Sequence, residues 1–172
     1  MSIDIPGKCV IRSETPEDYE SISEVIRRAF DGRPYAAGNE AELVVALREQ
    51  GGLAVSLVAE LDGNVVGQAA FSPVTASDGT DGWYAVGPIA VVPGLQQGGI
   101  GGQLMRAGLD AIGKLGAVGC ILTGDPNYYC RFGFEPAPAH APPEEPAEFF
   151  QVKRLRDVEL PPVFHFHPAF YT

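Results

Sequence analysis

The sequence predicts an α/β (α+β) fold: a mixed, mostly antiparallel central sheet with one parallel strand pair and helices on both faces. Two apolar runs, 54–61 and 64–72, flank Asp62-Gly63, the strongest short signal for a two-residue hairpin, and so pair antiparallel. The runs over 83–91 and 118–123 are joined by one amphipathic helix, a crossover that makes these strands parallel neighbours. At 172 residues and 45% hydrophobic content the chain fits a single domain, 1–172.

The first strand is the short run Cys9-Val10-Ile11-Arg12. Thr15-Pro16-Glu17-Asp18 then opens a helix with a hydroxyl cap, a first-turn proline and early acids, and Ile22, Val25, Ile26, Ala29 and Phe30 form its apolar stripe. A turn at 31–34 leads to a second amphipathic helix over 40–50, with Leu43, Val44 and Leu47 facing inward. After the hairpin and a polar turn at 77–82, the strand over 83–91 is interrupted at Gly87-Pro88. A glycine and a proline without an N–H signal a bulge or an edge there. The crossover helix carries Ile100, Leu104, Ala111, Ile112 and Leu115 at helical spacing and stops near Gly116. The run over 118–123 is short and too apolar for a surface element, and reads as a buried strand. Gly124-Asp125-Pro126-Asn127 turns the chain into a short helical segment over 128–132, and Gly133-Phe134 returns it to extended form. Residues 135–146, rich in proline, alanine and acids, read as a surface loop, and 148–155 and 163–166 supply two closing strands.

Twenty-two acidic against twelve basic residues give a formal charge of −10, which repels phosphate backbones and argues against nucleic acid. An anionic ligand must then be held by local backbone dipoles. No stretch approaches the ~18 uninterrupted apolar residues of a membrane span, and residues 1–6 lack a secretory leader pattern. Cys9, Cys120 and Cys130 show no CxxC spacing and lie in or beside apolar segments, as buried free thiols of a reducing compartment do. The expected location is cytoplasmic, away from membranes.

The segment Ile89-Ala90-Val91-Val92-Pro93-Gly94-Leu95-Gln96-Gln97-Gly98-Gly99-Ile100-Gly101-Gly102 joins a strand, a glycine-rich turn and a helix start. Glycines let a ligand approach the backbone, and the first helical turn offers unpaired N–H groups at the positive end of the helix dipole. That is an anion cradle suited to phosphate or pyrophosphate. A P-loop would need lysine and a hydroxyl residue after its last glycine, and Gly102-Gln103 supplies neither. A dinucleotide-binding loop would follow the first strand, whereas this one follows the fourth.

What remains is QxxGxG at Gln96, Gly99 and Gly101, followed about 30 residues later by Tyr129-Cys130-Arg131-Phe132-Gly133-Phe134, which fits YxxxGF. This pair resembles the GNAT superfamily of acyl-CoA-dependent N-acetyltransferases. Gly87-Pro88-Ile89-Ala90-Val91 and Gly124-Asp125-Pro126-Asn127-Tyr128-Tyr129 look like the variant of its YhbS-like branch. The resemblance implies acetyl-CoA as co-substrate, no metal, and a parallel strand pair that splays apart. The backbone of Ile89, Ala90 and Val91 would meet the pantetheine amides, the amides of Gln97, Gly98, Gly99, Ile100, Gly101 and Gly102 would hold the pyrophosphate, and Gln96 would belong to the cofactor site through its motif. Asn127 and Tyr129 would complete the cofactor site. Gly98 stands where many relatives carry lysine or arginine, so that charge contact is missing.

The implied reaction is direct attack of a primary amine on the thioester through a tetrahedral intermediate, its oxyanion stabilised by backbone N–H near Ile89 or Ala90. Tyr129 matches the family's tyrosine and is the candidate general acid for the departing thiolate, while Tyr128 beside it serves as an aromatic plug. Many relatives place a base glutamate on the strand before the loop, but 83–91 contains no acid. Glu40 at the start of the second helix, Asp31 after the first, and a bound water are the candidates for the base. His165 and His167 share a strand face and are expected to point to solvent; with His140 in the proline-rich loop they show no metal-ligand spacing. Cys130 has no visible histidine partner, which argues against a covalent acyl-enzyme. The acceptor is a small-molecule or peptide amine, and the closing strands could pair in a homodimer. The competing readings are a non-catalytic acyl-CoA-binding module and a structural or hydrolase-like protein whose glycine loop is only a tight turn.

Overall fold

The computed structural model describes residues 9–34 and 36–171, so the stretch 1–6, where a leader pattern would stand, lies outside the described residues. Cys9–Ser13 (β1) runs through a 3-10 turn into Tyr19–Phe30 (α1), and Glu40–Glu49 (α2) follows. Val55–Leu61 (β2) and Asn64–Pro73 (β3) form the expected hairpin, with Asp62 and Gly63 at φ 51° and 81°, the paired positive values of a two-residue turn that follows strand twist. Thr75–Ala76 (β4), Trp83–Val91 (β5), Ile100–Lys114 (α3), Gly119–Thr123 (β6) and the single turn Pro126–Tyr129 (α4) come next. Glu135–Pro136 (β7), Phe150–Arg154 (β8) and Phe164–His165 (β9) complete the chain.

Seven strands form one sheet in the order β1-β2-β3-β5-β6-β8-β7, antiparallel throughout except for β5 and β6. Strand alternation puts Arg12, Ser56 and Gln68 on one face and Gly67, Ala69 and Phe71 on the other. The first face receives α1 and α2: Arg12 pairs with Asp18 at the start of α1, and Glu14 pairs with Arg48 of α2 at 2.9 Å. The second receives α3, whose Leu104 abuts Gly67 and whose Gly108 backbone lies on the Phe71 ring. Within α2 the buried residues are Ala41, Val44 and Leu47, while Leu43 is half-buried.

Four expectations need correction. Of the two closing strands, only β8 joins the main sheet; β9 pairs with β4 in a separate ribbon. The cause is aromatic burial: Phe164 meets Trp83 edge-on at 4.9 Å and Phe150 at 5.7 Å, which lays this segment across the sheet instead of along its edge. The stretch 135–146 is not all loop, because Glu135 and Pro136 pair with Val152 and Gln151 as the edge strand. His165 and His167 are half-buried; His167 lies against Gly52 and accepts a hydrogen bond from the Ala169 amide at 3.1 Å. Of the cysteines only Cys120 is buried, and burial pushes its thiol far above the usual range, while Cys130 is exposed on the segment after α4. No helix among the described residues is long and apolar enough to cross a membrane.

Gly108 is where α3 comes closest to the sheet, since a Cβ there would overlap the fully buried Phe71 ring. Gly108→Ala gains up to ~1 kcal/mol of helix propensity but overpacks the core by ~1–3 kcal/mol, so a net loss is expected in urea unfolding. Asp18 accepts two hydrogen bonds from Arg12, at 2.7 and 3.0 Å, and one from the Thr15 amide at 2.7 Å. Hydrogen bonding to the Arg12 guanidinium holds the Asp18 carboxyl down to about 2. A lowered carboxyl contributes stability above its unfolded value that is lost as pH falls through the folded one. The advantage over Asp18→Asn should therefore be about 1–2 kcal/mol near neutrality and should disappear between about pH 4 and pH 2 in paired melting curves.

Candidate active site

The parallel pair is short. Trp83, Tyr84 and Ala85 pair with Gly119, Cys120 and Ile121; beyond Ala85 the two strands separate, β5 staying with β3 while β6 stays with β8. On β5 the register moves from Ala69↔Ile89 to Phe71↔Val86, so Gly87-Pro88 forms a bulge at the parting point. The Val92 amide donates to Val66 carbonyl oxygen at 2.9 Å, which by antiparallel alternation turns the N–H and C=O of Ile89 and Val91 toward the open side. Ala90, paired with Gln68, turns its own toward β3. The result is a notch with an unpaired strand edge along one wall.

The glycine loop stands at the open end of that notch. Gly94 and Gly99 occupy the left-handed region at φ 93° and 83°, which glycine alone enters without strain. The helix ladder of α3 begins with the Gln103 amide donating to Gly99 carbonyl oxygen at 3.0 Å, which leaves the amides of Ile100, Gly101 and Gly102 ahead of it. Gln96 does not aim its side chain at the helix start. Its Nε2 donates to Val91 carbonyl oxygen at 3.0 Å and its Oε1 accepts from Arg33 at 3.0 Å, so it fastens the loop to the strand and to the turn after α1.

Sequence reasoning missed the cations. Arg12, Arg27, Arg48 and Lys114 are paired with carboxylates, but Arg33, Arg106 and Arg131 have no carboxylate partner among the described residues, and all three border the cradle. Arg106 folds back so that Nη1 is 3.0 Å from where a Gly102 Cβ would sit, with its guanidinium carbon 5.3 Å from the Phe132 ring centre. It brings to the first turn of α3 the charge that Gly98 lacks. The signal was the four-residue spacing from Gly102 to Arg106, which shares one helix face.

Asp125 caps α4 by accepting from the Asn127 amide at 2.9 Å, which fixes the turn carrying both tyrosines. The Tyr129 ring covers Gly124: a Cβ there would lie 2.5 Å from the ring edge, so only glycine admits this approach. Tyr129 is half-buried against Tyr128, Phe132 and Phe134 at centroid distances of 4.9, 6.4 and 6.3 Å. Because Gly124 directly follows β6, the phenol is held at the mouth of the notch. Tyr128 is no plug; it is exposed, with its hydroxyl 3.5 Å from the position of a Gly101 Cβ. Buried Gln151 donates to Gly124 carbonyl oxygen at 2.9 Å and steadies the same turn. Glu40 accepts from the Ala37 and Gly38 amides at 2.7 and 3.2 Å, whereas Asp31 is exposed.

The comparisons agree with this geometry. Residues 53–136 match the model of the acetyltransferase (GNAT) domain. The chain is 40% identical over 157 residues to the uncharacterized N-acetyltransferase YhbS of Escherichia coli strain K12, covering 88% of this chain and 90% of that one. Its structure superposes on that of E. coli YhbS in complex with CoA with a TM-score of 0.87, at 35% identity and with 98% and 95% of the two chains covered. It superposes on a GNAT family acetyltransferase from Brucella melitensis in complex with acetyl-CoA with a TM-score of 0.84, at 40% identity over 95% and 98% of the chains. With the parted strands, the glycine loop and the tyrosine turn all in the arrangement that the two motifs require, the chain belongs to the GNAT acetyltransferase family.

Proposed function

We propose that this acetyltransferase moves an acetyl group from acetyl-CoA to a primary amine by direct attack. The observation that carries the reading is the notch itself, whose open edge offers the backbone groups of Ile89 and the Val91 amide and leads, through the loop that Gln96 ties to Val91 carbonyl oxygen, to three unladdered amides at Ile100, Gly101 and Gly102. An extended chain bearing amides at one end and a pyrophosphate at the other fits this sequence of donors. The complexes of E. coli YhbS with CoA and of the Brucella protein with acetyl-CoA support the same assignment.

On this reading Ile89 and Val91 hold the pantetheine amides as a partial added strand. The amides of Gln97 and of Gly99 to Gly102 take the pyrophosphate, with Arg106 as the nearby cation, while the Gly98 amide is spent on Leu95 carbonyl oxygen at 3.1 Å. Asn127 lies on the same rim. Ile89, with its backbone groups on the open side, is the better placed of the two oxyanion candidates. Tyr129 donates its phenolic proton to the departing thiolate. Glu40, committed to the Ala37 and Gly38 amides, closes the start of α2 rather than taking the proton of the amine.

Two variants test the reading. Gly99→Glu places an anion in the cradle and should weaken CoA binding at least ~100-fold in calorimetry, whereas Gly99→Ala, which imposes only the left-handed strain, should lose far less. Equal affinity in the glutamate variant and the parent would remove the cradle assignment. Tyr129→Phe should keep CoA affinity within about twofold while turnover falls about 100-fold or more. Undiminished turnover would strip Tyr129 of its role as the acid.

A further inference from the structure

Five carboxylates among the described residues are buried or half-buried: Glu14, Asp18, Glu40, Glu60 and Glu145. Four have a compensating partner. Glu14 pairs with Arg48 at 2.9 Å, Asp18 with Arg12 at 2.7 Å, Glu60 with Arg12 at 3.4 Å, and Glu40 takes two backbone amides. Glu145 meets only hydroxyls. Thr123 donates to its Oε1 at 2.8 Å, and Tyr171 bonds to it as well, so no cation among the described residues neutralises it. A shielded carboxylate without a cation is an incomplete ion pair.

Its location says what completes it. Thr123 is the last residue of β6, two beyond Ile121, the last to pair with β5, so its side chain stands about 7 Å along the open wall of the notch. Alternation places Thr123 on the face of Ile121 and Ala85, while the next residue, Gly124, carries the Tyr129 ring on the opposite face. Glu145 and Tyr129 therefore flank the parting strands from two sides. A turn closed by the Glu145 amide on Pro142 carbonyl oxygen at 3.0 Å, between Pro143 and Pro146, holds the carboxylate in place.

We propose that Glu145 receives the acceptor's ammonium group and takes its proton, an assignment that rests on the acetyl-transfer reading above. Glu145 carboxylate accepts one proton from R–NH3⁺. The nitrogen lone pair so released forms the C–N bond to the thioester carbon, and the carbonyl π electrons move to oxygen. When they return, the C–S bond breaks; Tyr129 gives its proton to sulfur and is restored by the second proton leaving nitrogen. One proton stays on the amide, one ends on the CoA thiol, and one passes from Glu145 to solvent.

The test compares the parent protein with Glu145→Gln on acetyl-CoA and two sets of acceptors. The first set is charged at neutral pH: putrescine, spermidine, tyramine, L-lysine and a lysine-containing peptide. The second is hydroxylamine and methoxyamine, which are largely uncharged there and need no proton acceptor before attack. Expected for the glutamine variant are CoA affinity within about twofold of the parent, turnover of the accepted alkylamine down about 100-fold, and turnover of hydroxylamine nearly unchanged. Calorimetry of that alkylamine on the CoA-loaded protein should show binding at least about fivefold weaker. Equal losses on both acceptor sets, or no loss on either, overturn the assignment of Glu145 while leaving the transferase reading intact. A parent protein that binds CoA yet acetylates no member of either set overturns both.

Discussion

Everything at the site depends on two neighbouring strands being held together at one end and apart at the other. The closed end is pinned by size: Gly119 lies under the Trp83 ring, which a Cβ at residue 119 would overlap, so β5 and β6 meet there in tight register. At the open end each strand has a stronger claim on it than the other strand does. β6 stays with β8 through Thr123↔Phe150, and the Gly124 amide continues that ladder to Phe149 carbonyl oxygen at 2.9 Å. β5 is carried past its bulge by β3 as far as the Val92–Val66 bond. The unpaired edge follows from where the flanking pairs run, and, apart from the Val91 carbonyl that Gln96 caps, its groups face the open notch.

Net charge and local charge give opposite impressions of this molecule. A chain at −10 repels anions at a distance, yet seven of its described cations lack a carboxylate partner, and three of these, Arg33, Arg106 and Arg131, edge the cradle. At ordinary ionic strength, screening over ~8–10 Å makes the near set count for more than the total.

The sequence made local and strongly patterned features legible. Asp62-Gly63 set the hairpin, and Gly99 with Gly101 marked the start of α3. Tyr129 with Gly133-Phe134 marked the turn that now lies over Gly124. Features set by contacts distant along the chain were not legible. β9 leaves the sheet edge because Phe164 seeks Trp83, a residue some eighty positions earlier. Glu145 sits in a proline-rich run with no periodicity, and only the bond to Thr123 shows what it adjoins. The motif places Gln96 at the cofactor site, but its side chain is a fastener between loop and strand, a distinction that spacing alone does not carry.

That fastener also works as an end stop. By capping the Val91 carbonyl, Gln96 closes the last acceptor on the open edge of β5, while the bulge at Gly87-Pro88 interrupts the edge at its other end. What lies between is a ruler about 10 Å long, three strand residues at ~3.3 Å each. Its far end is tied through Gln96 to Arg33, so the turn after α1 is anchored to the same mark. The free part of the β5 edge is thus bounded at both ends by the fold itself.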